Sequence, residues 1–327
     1  MEFKLTWDDP AEAELTWQRM GGPDKPLEQS YAVYWNQGWE QAARDKGEPR
    51  PLSLTRYVNG YPYAAQKPVK PLSRRQRESM QRAAERRVPE LWHTEWLPEL
   101  RAHMAQLNSL DLAKLDNGEL AILLQENLSW YGRCATMHAH TAGTSFEAVD
   151  RLVEWYLARF PEALESEPYR LLQGQSNASV EKGLRLWEMS RTMTKADAKI
   201  LASRRFKAAW DELSVDLQQA CEQYCFDYRE NDRARLASLL LLYVGGEVPD
   251  PRREVERQAA SQETFVKQTR ARLSPDEMDG FNDMLTVALA NLPLNEDHNY
   301  WLDGVDDRTL VPLFSEFGRR LRWPPGW

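Results

Sequence analysis

From Ser73 to Leu321 apolar residues return every three or four positions, and that periodicity restricts most of this chain to helices packed on helices. Ser73 to Arg87, Glu90 to Leu107 and Asp116 to about Thr141 alternate apolar and charged residues in this way. Val149 to Phe160, Ser179 to Thr192, Lys195 to Phe206, Trp210 to Asp227, Glu254 to Arg272, Pro275 to Ala290 and Leu310 to Leu321 continue the pattern. Arg233 to Tyr243 is apolar along Leu236, Leu239, Leu240, Leu241 and Leu242, so a buried central helix ended by Gly245 and Gly246 is expected there. Asp116, with Glu119 three residues later, has the form of a capping box.

Residues 1–72 read differently. Ala11 to Met20 suits a short helix stopped by Gly21, Gly22 and Pro23. Leu27 to Ala43 suits a second helix, carrying Tyr31, Tyr34, Trp35 and Trp39. Leu52 to Ala65 resembles a hairpin turning at Asn59-Gly60, and Lys67 to Pro71 reads as a boundary. The expected fold is mainly α: a helical bundle domain over 73–327, with a small N-terminal α+β (helix plus hairpin) piece over 1–72.

Several functions are disfavoured by composition. A net charge of -8 argues against nucleic acid as a partner. The one basic run, Arg74, Arg75, Arg77, Arg82, Arg86 and Arg87, is interleaved by Glu78 and Glu85, so a solvated face is expected before a dock for an acidic partner. No apolar run approaches the roughly 20 residues of a membrane span, and Met1 to Pro10 has no apolar signal core. Cys134, Cys221 and Cys225 are odd in number and lack zinc-site spacing. Buried thiols and a cytoplasmic location are expected. Thirteen tryptophans are many for packing alone, and suit either an enclosed aromatic ligand or a large subunit interface.

Two stretches concentrate chemistry. Asn295 to Asp303 places Glu296 and Asp297 beside His298, Tyr300 and Trp301. Asp297 could hold the imidazole and raise its basicity; alternatively both acids complement a helix N-terminus and His298 bonds a neighbouring backbone group. Trp130 to His140 puts Arg133 and Met137 on one helix face, and Trp130, Cys134 and His138 on another. His138 and His140 diverge by about 200°, so no two-histidine metal site is expected. Each lines a pocket or is structural, and Thr141, Gly143 and Thr144 hint that the helix ends there. His93 and His103, near Trp92 and Trp96, read as ordinary, and the Tyr31 to Trp39 stripe as core packing before pocket wall. No Gly-rich phosphate loop, nucleophile elbow or paired Cys-x-x-Cys occurs.

Three stretches resemble one family. Phe3 to Trp7 with Asp9, Pro10, Ala13, Leu15 and Trp17, then Val58 to Tyr61 with Tyr63, resemble the region before the helical domain of phosphoenolpyruvate-synthase-like, phosphohistidine-dependent phosphotransferases. Tyr169 to Gly174 with Asn177, Ser179, Glu181, Leu186, Trp187 and Ser190 is similar to their helical linker. Glu296 to Asp303 with Gly318 to Leu321 resembles the stretch before their swivelling domain. Where many relatives carry a His-Phe-Pro-like segment, this chain has Gly21, Gly22, Pro23 and Asp24.

The resemblance implies an acceptor-binding region or subunit, as in phenylphosphate synthase and the alkylphenol- and rifampicin-phosphorylating enzymes, inactive alone. It implies a partner protein with ATP-grasp and phosphohistidine domains, and an aromatic hydroxyl small molecule as acceptor. ATP and Mg would belong to the partner, and this chain would bind no cofactor. His138, His140 or His298 would take the hydroxyl proton, and Arg133 or Arg319 would face the phosphoryl group. Trp130, Tyr131, Met137, Asp297, Tyr300 and Trp301 would line the acceptor. The competing expectation is a non-catalytic scaffold or regulatory protein that keeps only the helical domain.

Overall fold

Twelve α-helices and one small sheet carry the described residues of the computed structural model. Those residues are 14–19, 26–46, 52–58, 61–68, 72–203, 210–228, 233–246, 248–302 and 305–323. The helices are α1 (Pro26–Lys46), α2 (Arg74–Leu91), α3 (Leu97–Asn108), α4 (Asn117–Arg159), α5 (Ala178–Thr192) and α6 (Lys195–Leu201). They continue as α7 (Val215–Tyr228), α8 (Arg233–Val244), α9 (Pro251–Arg270), α10 (Pro275–Asn291), α11 (Leu294–Trp301) and α12 (Val305–Leu321). The fold is mainly α with a small N-terminal α+β piece. Its compact units do not follow the expected division at residue 72. One unit comprises 1–148 with 301–327, and the other 149–300.

In the first unit, β2 (Leu52–Val58) and β3 (Tyr61–Lys67) pair antiparallel with Leu54 opposite Ala65. The Asn59-Gly60 turn lies outside the described residues. The helix expected over Ala11 to Met20 is corrected: Gln18–Arg19 form β1, an edge strand on β3. The free backbone groups of β3 offer pairing that so short a helical segment cannot match. The sheet is tied to α1 through Thr55, whose hydroxyl donates to Val33 O at 3.2 Å and whose carbonyl accepts from Gln37 Nε2 at 3.1 Å. Buried Glu40 holds both Arg44 and Arg56.

The helix α1 meets α4 at two glycines. A methyl carbon on Gly38 would collide with Gly132 O, Ala135 and the Thr136 backbone, and one on Gly132 would lie 2.9 Å from Tyr34 O. The backbones therefore touch directly, and Thr136 Oγ1 donates to Gly38 O at 3.1 Å. The helix expected to end near Thr141 instead continues to Arg159. Thr141, Thr144 and Ser145 turn their hydroxyls onto carbonyls three or four residues back, so these polar residues are accommodated inside the helix. The capping box at its start is present: Asp116 N–H donates to Glu119 at 2.7 Å, and Glu119 N–H to Asp116 at 2.8 Å. Between α2 and α3 the chain stays helical through one wide π-turn, Trp92–Trp96, just after Pro89. On α12, Leu313 packs with Leu107 and Leu120, and Arg320 reaches Asn117 and the Leu112 carbonyl.

The second unit has two cores. Leu186, Met189, Leu213, Leu217, Tyr224, Leu236 and Leu240 join α5, α7 and α8. Leu152, Tyr156, Phe265, Phe281 and Leu285 join the end of α4 to α9 and α10. The buried central helix expected at Arg233 to Tyr243 is buried on one face: Leu236 and Leu240 lie in the core, but Leu242 is exposed. Arginines lie over aromatic rings repeatedly: Arg252 and Arg191 over Trp187, and Arg272 and Arg159 over Phe160.

Glycines at different positions should respond with opposite signs. Gly38→Val forces α1 off α4 and should cost about 1–3 kcal/mol. Gly280→Ala, in open space on α10, should add about 0.5–1 kcal/mol by restricting the unfolded chain. Urea unfolding of the two variants beside the parent measures both.

Candidate functional site

The richest grouping of rings and imidazoles lies in the first unit along the α1–α4 seam. Positions 35 and 39 on α1 are one turn apart, so both indoles reach the same side chain of α4. Trp35 and Trp39 flank His138, with ring centroids 5.5 and 5.8 Å away, and Trp35 also meets Tyr131 at 4.8 Å. Trp39 is 41% exposed and forms the open edge of this group. His140, two residues on, faces Asp45 of α1 at 3.2 Å through Nε2, and Trp96 of the π-turn at 6.1 Å. Lys46 donates to the Ala139 carbonyl between the two histidines at 2.6 Å. The glycine crossing also leaves an open hollow of about 270 Å³, lined by Tyr34, Gln37, Gly38, Ser129, Gly132 and Thr136.

Electrostatics separate the histidines. Burial, aided by Lys46 and Arg87, holds His140 below the usual histidine range, although its bond to Asp45 opposes this. A carboxylate only accepts, so Nε2 carries the proton and Nδ1 the lone pair of a neutral ring. Burial pushes the Cys134 thiol well up and Cys221 to about 12, so neither is a thiolate at neutral pH. Among the described residues no group of three or more His, Cys, Asp or Glu could hold a metal ion.

The other expected site residues are dispersed. Arg133 is bound in two-point fashion to Glu99, at 2.7 Å for both contacts, and Met137 is core. Arg319 binds Glu316 at 2.6 and 2.8 Å. Trp301 is buried beneath Arg101 and Arg308, whose guanidinium carbons lie 4.6 and 5.6 Å from its ring centre. Asp297, His298 and Tyr300 belong to the second unit. Asp297 Oδ1 accepts from the Ala178 N–H at 2.8 Å, at the first turn of α5, and Ser179 donates to Glu296 at 3.2 Å. His298 Nδ1 bonds the Leu294 carbonyl one turn back at 2.5 Å. Lys182 lies 5.9 Å from the Tyr300 ring. The acids of this stretch thus serve the start of a neighbouring helix.

One constellation was not expected from the sequence. His103, read as ordinary, stacks on Trp130 at 3.9 Å and 16° and meets Asn127 Oδ1 at 2.8 Å. The signal was present in the i, i+3 spacing of Asn127 and Trp130 on α4, but their partner sits on another helix, 24 residues before Asn127.

The chain is similar to chondramide synthase cmdD of Chondromyces crocatus: 26% identical over 361 aligned positions, covering 98% of this chain and 9% of that protein. It therefore spans about a tenth of that curated relative. No protein-family model and no solved structure matches it.

Two outcomes follow from these contacts. The unfolded His140 takes its proton near the ordinary value of about 6.5, the folded one only at lower pH. Its stabilising contribution should be complete above pH ~6.5 and lost as pH falls through the depressed folded value, so His140→Gln should flatten that decline in pH-dependent urea unfolding. Asp297→Ala removes an acceptor from the first turn of α5 and should cost about 1 kcal/mol in the same assay at neutral pH.

Proposed function

We propose that this chain is the acceptor-binding component of a two-component, phosphohistidine-dependent phosphotransferase, and that it holds an aromatic hydroxyl compound against the indoles of the α1–α4 seam. The observation that carries the reading is the flanking of His138 by Trp35 and Trp39, with His140 two residues on held by Asp45. Phosphoryl transfer depends on positioning and charge more than on covalent work by the protein. A phenol, with pKa near 10, needs only a modest base to lose its proton. His140 Nδ1 would accept that proton, with Asp45 keeping the ring oriented. Tyr131, Trp35 and Trp39 would wall the acceptor ring. Arg133 would face the phosphoryl group only by exchanging Glu99 for it. ATP, Mg and the carrier histidine would come with the partner chain.

The similarity to part of a much longer synthase favours a second reading, in which the chain is an accessory or scaffolding segment that serves a large assembly without chemistry of its own.

Binding separates the two. Titrating the full chain with phenol should quench tryptophan fluorescence with a micromolar midpoint, and Trp39→Ala should weaken binding by about tenfold, or ~1.4 kcal/mol. A flat titration with phenol and its alkylated or carboxylated derivatives leaves the accessory reading standing.

A further inference from the structure

The half-buried imidazole of His103 is oriented by a chain of hydrogen bonds whose directions are fixed. Asn127, 1% exposed, donates its Nδ2 to the Leu123 carbonyl at 2.8 Å. A carbonyl only accepts, so the amide nitrogen must face Leu123 and the amide oxygen must face His103. That oxygen also only accepts. The 2.8 Å contact at Nε2 therefore requires a proton on Nε2, so a ring carrying a single proton has its lone pair on Nδ1. The ring plane is held as well, because Trp130 lies parallel to it at 3.9 Å.

A histidine that only fills space has no need of this arrangement. Burying an amide costs free energy unless its hydrogen bonds are made, and Asn127 commits both of its polar ends to fixing one tautomer of a partly exposed ring. His298 provides the contrast, since its Nδ1 is satisfied by a carbonyl of its own helix. The lone pair left on a partly exposed ring calls for a donor, and a hydroxyl is among the smallest groups that supply one.

We propose that His103 Nδ1 is a proton-accepting site for a hydroxyl-bearing ligand, with Asn127 as the positioning residue and Trp130 as the wall. The assignment goes beyond the phosphotransferase reading, since any bound hydroxyl, aromatic or aliphatic, meets the same requirement. It is separate from the His138 and His140 group and stands or falls without them. The ring takes the hydroxyl proton into a hydrogen bond while Nε2–H stays on Asn127, and Asn127 has no charge to lose as pH changes.

The test is histidine nitrogen–proton correlation spectroscopy on the full chain labelled with ¹⁵N-histidine, with His103 assigned from His103→Gln. The expected spectrum has a proton on Nε2 and a bare Nδ1, whose resonance moves on addition of phenol and much less with methoxybenzene, which has no O–H. Asn127→Ala should let the ring average between tautomers and weaken the phenol response by about tenfold. A proton on Nδ1 in the parent chain, no shift with saturating phenol, or an equal shift with methoxybenzene would overturn the site. A folded Asn127→Ala that keeps both tautomer and response would remove the positioning role. Should that variant not fold, the tautomer and phenol response of the parent decide.

Discussion

The contact on which the first unit depends is the meeting of backbones at Gly38 and Gly132. With no side chain at either position, α1 and α4 approach closely enough for Thr136 to donate directly to Gly38 O. Everything placed along that seam inherits its spacing from this point. Trp35 and Trp39 reach His138, Asp45 reaches His140, and Lys46 reaches the Ala139 carbonyl because the two axes are close there. A wider crossing would separate each of these short-range pairs at once.

The three best-defined histidines show how one side chain takes different states from local surroundings. His140 is kept neutral mainly by burial, with a carboxylate steering its tautomer. His298 is consumed by its own helix. His103 owes its tautomer to an uncharged amide whose orientation is itself dictated by a main-chain carbonyl. The first and third of these states do not follow from sequence neighbours, because in each the partner that fixes the tautomer lies on another helix.

That explains which parts of the structure were legible beforehand. The helical content followed from periodicity, and the start of α4 from Asp116 and Glu119, since both depend on residues within one turn. The apparent end of α4 near Thr141 misled because hydroxyl and glycine residues usually break helices, whereas here the hydroxyls fold back onto the helix carbonyls. Strand β1 was hidden because its pairing partner lies more than 40 residues away. The dense acidic stretch around His298 looked chemical in one dimension, but Asp297 is used at the first turn of α5, over a hundred residues earlier. Grouping by proximity in sequence finds caps and turns reliably and finds sites poorly.

The abundance of indoles also has a partner that composition alone hid. Trp301 and Trp187 are each approached by two guanidinium groups, and Phe160 by two more. A planar, permanently charged fork lies flat on a ring and keeps its remaining N–H groups for water or acids, whereas an ammonium offers a hydrated point. Positive charge is therefore not interchangeable on this surface. Replacing these arginines by lysine would preserve the isoelectric balance of the chain while uncovering its aromatic faces, so drift between the two cations should be tolerated at Arg75 yet not at Arg101 or Arg252.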